Sequence, residues 1–330
     1  MFTNYFRLNS MRNCRPWLDC DEIEENIQLT HKDVGNGLGK SFSKAVLDGM
    51  PVAFVRTRED KLASGRIVDR VRQGFDNLKM LQPHPRITQL LGYCIAGNIT
   101  VMITELGTWG DLRQFILSPE FHDFSLAQRT DIAVQVVDAI GYVHNSPTGS
   151  RINCDMNTVG QALAQFIVLD DFRIVLNDVD DLPVGDSRSR VKSQCIVGRH
   201  NINGTADHSF EAPERRWPWP DRFPKEIDPE ELDTRLRSGE DYSGGIEFKS
   251  PQVDEKSDIW KLPDLIEKII SAGIATEASD TQAKRVKAML THLRPIMREC
   301  KREVRVHFIN LVLGVRSRVV QDGNGNLERG

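Results

Sequence analysis

The chain has 330 residues, 39% hydrophobic and 27% charged, and its 43 Lys and Arg against 47 Asp and Glu leave a net charge of −4. This is ordinary globular composition, sufficient for one two-lobed domain or two small ones. The slightly negative balance excludes a global field that recruits nucleic acid, and no window approaches the roughly 18 uninterrupted apolar residues that span a bilayer.

Residues 11–30 read as an entry bracketed by Cys14 and Cys20, followed by a short acidic helix-like stretch. From Val34 the texture changes. A glycine-rich turn at residues 35–39 precedes two apolar-alternating runs joined by Asp48-Gly49, a dipeptide that marks a tight hairpin between such runs. Residues 61–81 place Leu62, Ile67, Val71, Phe75, Leu78 and Leu81 near helical spacing, with Gly74 as a weak point. Two further strand-like runs, ITQLLGYCIAG and NITVMITEL, meet at a Gly-Asn turn. The first part of the chain therefore reads as mainly β with one helix.

After Gly107 the pattern becomes helical, and in the long run from Leu126 to Asn145 residues Ala127, Ile132, Val136, Val137, Ile140 and Val143 share an apolar face. The runs Phe166–Leu169 and Arg173–Leu176, split by Asp170-Asp171-Phe172, suit a small hairpin. Such a hairpin brings the loop before its first strand and the loop after its second to one edge, so Asp155 and Asp178 are expected to face a single site. Residues 184–250 are rich in Gly, Pro, Ser, Asp and Arg, and a compact domain keeps so long an irregular segment mainly where it serves a site. Helical patterns return at KSDIWKLPDLIEKIISAG, DTQAKRVKAMLTHL and CKREVRVHFINLVLGV, where scattered basic residues read as a solvated face rather than a polyanion site. Six cysteines form no CxxC pair, which argues against a zinc cluster, and the sequons at Asn98 and Asn203 are glycan acceptors only in a secretory lumen.

A Gly-rich hairpin, a β lobe with one helix, a connector at Thr104-Glu105, a long helix ending in Tyr142-Val143-His144, and two carboxylates flanking a hairpin form the order of parts in a protein kinase. Ala212-Pro213-Glu214 and Asp258-Ile259-Trp260 extend that order. The wording is similar to the protein O-mannose kinases, a secretory-pathway branch of the protein-kinase-like proteins. The likeness is carried by Met11-Arg12-Asn13-Cys14-Arg15-Pro16-Trp17-Leu18-Asp19-Cys20, by Leu90-Leu91-Gly92-Tyr93-Cys94, and by His144–Ser150 leading to Cys154-Asp155. It continues through Asn177–Pro183 and Asp254–Pro263. The resemblance implies an α+β, bilobal protein-kinase-like fold. Residues 1–30 would be a Cys-containing extension, 31–106 a β-rich N-lobe, and 107–330 a mainly helical C-lobe with divergent C-terminal helices.

The same resemblance assigns roles. Asp155 takes the place of the catalytic-loop base, and Asp178 that of the metal-binding aspartate, with Val179-Asp180 where Phe-Gly usually follows. Gln165 stands where the second metal ligand is normally Asn, and its amide oxygen is a suitable donor for Mg²⁺ or Mn²⁺. Val52-Ala53-Phe54-Val55 has valine where a kinase carries its phosphate-binding lysine. Lys40, at the end of Gly35-Asn36-Gly37-Leu38-Gly39, supplies that charge from the neighbouring strand, as in the with-no-lysine kinases. Gly35 and Gly37 would let backbone amides approach phosphate, Asp69 (or Asp76) would hold Lys40, and the backbone of Glu105 and Gly107 would bond adenine. Glu214 and Asp258 would be structural, with Arg294 as partner of Glu214.

The resemblance further implies disulfides Cys20–Cys94 and Cys154–Cys195 in an endoplasmic-reticulum lumen. It implies membrane association only through an anchor upstream of this chain, so that the sequence reads as truncated. The implied reaction is ATP-dependent phosphorylation of the 6-hydroxyl of O-linked mannose in the GalNAc-GlcNAc-Man trisaccharide of a glycoprotein such as α-dystroglycan. Two rival readings are an inactive pseudokinase acting as a lumenal binding module, favoured by Val55, Gln165 and Val179-Asp180, and a secreted kinase acting on protein hydroxyls.

Overall fold

The structure is a computed structural model that describes residues 4–8, 11–185, 210, 212, 254–274 and 281–302. In chain order its elements are β1 (Tyr5–Phe6), β2 (Arg15–Pro16), α1 (Cys20–Asn26), β3 (Ile27–Asn36), β4 (Lys40–Leu47), β5 (Met50–Thr57), α2 (Gly65–Leu81), β6 (Leu90–Ala96) and β7 (Ile99–Glu105). There follow α3 (Leu112–Phe115), α4 (Pro119–His122), α5 (Leu126–His144), β8 (Ser150–Arg151), α6 (Val159–Ala164), β9 (Phe166–Val168), β10 (Ile174–Leu176), β11 (Val184–Gly185), α7 (Lys256–Ser271) and α8 (Thr281–Arg302). This is an α+β fold, rich in sheet early and in helix later. The chain divides into one compact unit of residues 1–112 with 165–182, and a second of 113–164 with 183–330.

The first unit is organised by an antiparallel sheet in the order β3-β4-β5-β7-β6. Asp48 and Gly49 adopt positive φ of 50° and 80°, the geometry that lets a two-residue turn follow the strand twist, and Leu47 pairs with Met50 across it. Strand alternation then sorts the side chains. One face sends Ala45, Leu47, Val52 and Ile103 into a core completed by Phe6, Leu18, Ile23 and Leu91. The opposite face carries Lys40, Phe42, Ala53 and Val55, because Lys40 pairs with Thr57 and Phe42 with Val55.

The segment ahead of the sheet is therefore part of its core. Leu18 donates its N–H to Leu91 O at 2.9 Å, and its carbonyl accepts from Tyr93 at 3.0 Å. Gly92 makes this crossing possible, since a Cβ there would lie 2.4 Å from Leu18 Cβ. Asp19 and Glu22 form a reciprocal cap at the start of α1, and Cys20 is bonded to Cys94 across 74 residues. Cys154 is also disulfide-bonded, while Cys195, its expected partner, lies outside the described residues.

In the second unit α5 begins at a Ser125–Gln128 capping box. Ile132, Val136, Val137, Ile140 and Val143 are buried as the spacing predicts; Ala127, in the first turn, is exposed. Arg129, unremarked in the sequence, is 1% exposed. Its guanidinium donates to the carbonyls of Phe121, His122, Phe124, Ile270 and Ala272, satisfying chain ends that would otherwise be buried without donors. The last two predicted helices begin as one continuous α8, and residues after 302 lie outside the described ones. Glu214 does too, and the carboxylate beside Arg294 is that of Glu267, at 3.5 Å.

Cys94→Ser should open the largest covalent loop closed among the described residues. By loop entropy its removal costs at most about 4.5 kcal/mol, read as a lower urea midpoint for the variant than for the oxidised wild type.

Candidate active site

In the first unit the turn before β4 is closed by Gly37 N–H donating to Lys40 O at 2.8 Å. Gly39, rather than Gly35 or Gly37, is the glycine that packing demands. A Cβ there would sit 2.6 Å from Ile67 Cγ2 of α2, whereas at Gly35 and Gly37 the nearest atoms would be 3.6 and 3.7 Å away, ordinary contact distances. Close approach of the turn to α2 carries Lys40 inward. Its position two residues along β4 from Phe42, the partner of Val55, puts its side chain on the same sheet face as Val55.

Lys40 Nζ lies 3.1 Å from Asp178 Oδ1 and 2.7 Å from Asp180 Oδ1. The helix carboxylates expected to hold it, Asp69 and Asp76, are both exposed on α2, and Asp178 and Asp180 stand in their place. The helical period explains this correction: the α2 stripe that meets residues 179–181 is Arg70, Gly74 and Asn77, one turn apart each, while Asp69 and Asp76 fall outside it. Asn77 Nδ2 donates to Val179 O at 2.7 Å, and Arg70 lies 3.8 Å from Asp181. A Cβ at Gly74 would lie 1.9 Å from Asp180 Oδ1.

The electrostatics follow from this packing. Burial works against the Lys40 ammonium, yet Asp178 and Asp180 together hold its pKa above the ordinary lysine value. Burial also opposes the charge on Asp178, but Lys40 and Arg70 outweigh it and keep that carboxyl below its ordinary range. At Asp180 burial dominates and the neighbouring Asp178 adds to it, so the carboxyl is pushed up to about 6 despite Lys40. Two acids two residues apart are thus driven in opposite directions.

The β9–β10 hairpin pairs Ile174 with Val168 and Leu176 with Phe166. At its open end Asn177 and Asp178 both donate N–H to Gln165 O, at 2.9 and 3.2 Å, so the two predicted metal ligands are backbone neighbours. Among the described residues no three His, Cys, Asp or Glu converge as a metal cage. The donor set fits a hard divalent ion that draws most of its oxygens from phosphates and water, the usual habit of Mg²⁺.

In the connector Glu105 turns its N–H to Gln89 O at 3.0 Å, and its carbonyl accepts from Thr104 Oγ1 at 3.3 Å. Its buried carboxyl, raised by burial against the pull of Arg173, accepts from Gln89 N–H at 2.8 Å and faces Arg173 at 3.3 Å. Gly107 packs on β9, where a Cβ would lie 2.7 Å from Ile167 Cβ. A cavity of about 580 Å³ opens beside this connector, lined by Met50, His84, Glu105, Leu106 and Arg173 among others; neither Lys40 nor Asp178 lines it.

Asp155 belongs to the second unit, in a loop held from behind by Asp258. Asp258 Oδ2, fully buried, accepts from Asn153 N–H at 2.8 Å and lies 3.1 Å from His144 Nε2, with Lys261 Nζ 4.0 Å from its other oxygen. Asn153 Oδ1 in turn accepts from Asp155 N–H at 3.0 Å. The side chain of residue 153 thus carries the constraint from α7 to the backbone of Asp155.

A β sheet with a lysine-bearing glycine turn, one helix and a carboxylate-flanked hairpin defines a kinase-like phosphotransferase, and residues 47–149 match the family model described as protein tyrosine and serine/threonine kinase. The protein O-mannose kinase of Xenopus laevis is 31% identical over 271 residues, 81% of this chain and 67% of that protein. Its counterparts in Homo sapiens and Macaca fascicularis are 31% and 32% identical, each match covering 79% of this chain and 66% of the relative. The chain belongs to the protein O-mannose kinase family. The matches span about two thirds of the length of these relatives.

Asp258→Ala should leave the Asn153 N–H without its acceptor and remove the buried carboxylate beside His144 and Lys261, at a cost of about 3–5 kcal/mol. Calorimetry should show a markedly lower unfolding temperature, with Asp258→Asn less affected because it still accepts from Asn153. His84 is held to about 4 by burial and by Arg86, against 6.5 ordinarily. The unfolded chain therefore binds its proton first, and His84 lowers stability as pH falls from about 6.5 towards about 4. Urea midpoints across that window should fall less in His84→Asn than in wild type.

Proposed function

We propose that this chain transfers the terminal phosphoryl group of ATP to the 6-hydroxyl of an O-linked mannose, within a GalNAc-GlcNAc-Man trisaccharide on a glycoprotein such as α-dystroglycan. The observation that carries the reading is Lys40, which reaches the Asp178 carboxylate at 3.1 Å from the strand next to the one that lacks a lysine. A half-buried ammonium brought beside Asp178 by a glycine turn supports retained nucleotide chemistry.

Each residue then has a task. Lys40 clamps the phosphates as a point charge. Asp155 orients the mannose 6-hydroxyl and accepts its proton as the oxygen–phosphorus bond forms and the bond to the β-phosphate breaks, releasing ADP. Asp178 and Gln165 would hold Mg²⁺ or Mn²⁺, which when bound neutralises phosphate charge. The Cys20–Cys94 bond and the exposed Asn98 sequon support folding in an oxidising lumen such as the endoplasmic reticulum.

Val55, Gln165 and the Val179-Asp180 pair favour the rival reading of an inactive lumenal binding module. Purified protein incubated with ATP, Mn²⁺ and a synthetic trisaccharide glycopeptide should yield a mannose phosphate by mass spectrometry. Asp155→Asn should lower that rate by about 10²–10⁴-fold. Nucleotide binding without transfer would replace the proposal with the binding module, and transfer to protein hydroxyls but not glycan would replace the substrate.

A further inference from the structure

Kinases hold their phosphate-clamping lysine with a glutamate on the helix of the first lobe. Helix α2 offers no such acid to Lys40. At Gly74 the space a side chain would fill is taken by Asp180, whose Oδ1 would be 1.9 Å and whose Cγ 2.8 Å from a Cβ there. That same Oδ1 accepts from Lys40 Nζ at 2.7 Å.

We propose that Asp180 is the positioning residue that anchors Lys40, and that Gly74 and Asp180 together represent one acid moved from the helix to the segment after β10. The proposal rests on the reading of Lys40 as phosphate clamp. Three observations support the assignment over a second metal ligand. Asp180 is 9% exposed against 32% for Asp178, so Asp178 faces exchangeable ligands and Asp180 does not. The 2.7 Å contact is the shorter of the two that Lys40 makes. The residues on either side of Asp180 are gripped by the same helix stripe, Val179 O by Asn77 and Asp181 by Arg70, which holds the carboxylate against the glycine. This division leaves Asp178 free to exchange the ammonium for another cation while Asp180 keeps Lys40 in place.

The test uses the full chain and two readouts. Without nucleotide, acetylation of Lys40 by an N-hydroxysuccinimide ester is followed by mass spectrometry, with exposed Lys44 as internal reference. Asp180→Asn should label about tenfold faster at Lys40, the scale of one lost charged hydrogen bond, and the exchange Gly74→Glu with Asp180→Gly should restore protection. Calorimetric ATP affinity without metal should fall about tenfold in Asp180→Asn and recover in the exchange variant. Unchanged labelling in Asp180→Asn overturns the anchor, and so does a folded exchange variant that restores neither readout. If the exchange variant does not fold, Gly74→Ala, whose methyl must displace Asp180, should raise Lys40 labelling, and no rise overturns the proposal. The expected labelling pattern in a protein that binds no ATP leaves the anchor standing and removes the kinase reading.

Discussion

The structure of the first unit turns on one half-buried ammonium between two carboxylates. Lys40 is held at 3.1 Å by Asp178 and at 2.7 Å by Asp180, in surroundings where burial alone would favour the neutral amine. With Asp180 buried but Lys40 and Asp178 still partly exposed, desolvation and solvent screening offset most of the attraction, and the pair stabilises little on balance. Its consequence is specificity: the glycine turn, the β4–β5 register and the α2 stripe must all be in place before the three charged groups can meet.

Those requirements explain otherwise odd residues. Gly39 allows the turn to close on Ile67 and Val71, and Gly74 leaves room for Asp180 on a helix that would be more stable with alanine. Gly92 admits Leu18 to the far face of the sheet. In each case a missing Cβ permits a close crossing of backbone or side chain, and none of the three has positive φ. Their task is proximity rather than an unusual conformation.

The second unit solves a related problem with a buried acid and a buried cation. Asp258 ties the loop containing Asp155 to α7, and Arg129 gathers carbonyls from the C-terminal ends of α4 and α7. Membership of the protein O-mannose kinase family agrees with both arrangements, since a phosphotransferase depends on loops held in one geometry by a rigid frame.

Much of this was legible in the sequence because it is local. Asp48-Gly49 dictates a tight turn, alternating residues dictate β4 and β5, and the spacing in α5 dictates its buried side, since each depends only on neighbours along the chain. That Lys40 on β4 and residue 55 on β5 share a sheet face follows from the short hairpin that joins the two strands. The anchor of Lys40 was not legible. Asp69 and Asp76 have the right chemistry and lie on the right helix, but which stripe of α2 meets residues 179–181 is set by how the segment after β10 packs on it, at a separation of about a hundred residues. In the sequence Gly74 is only a weak point in a helix and Asp180 only a departure from the usual glycine, and tertiary packing alone puts the one against the other.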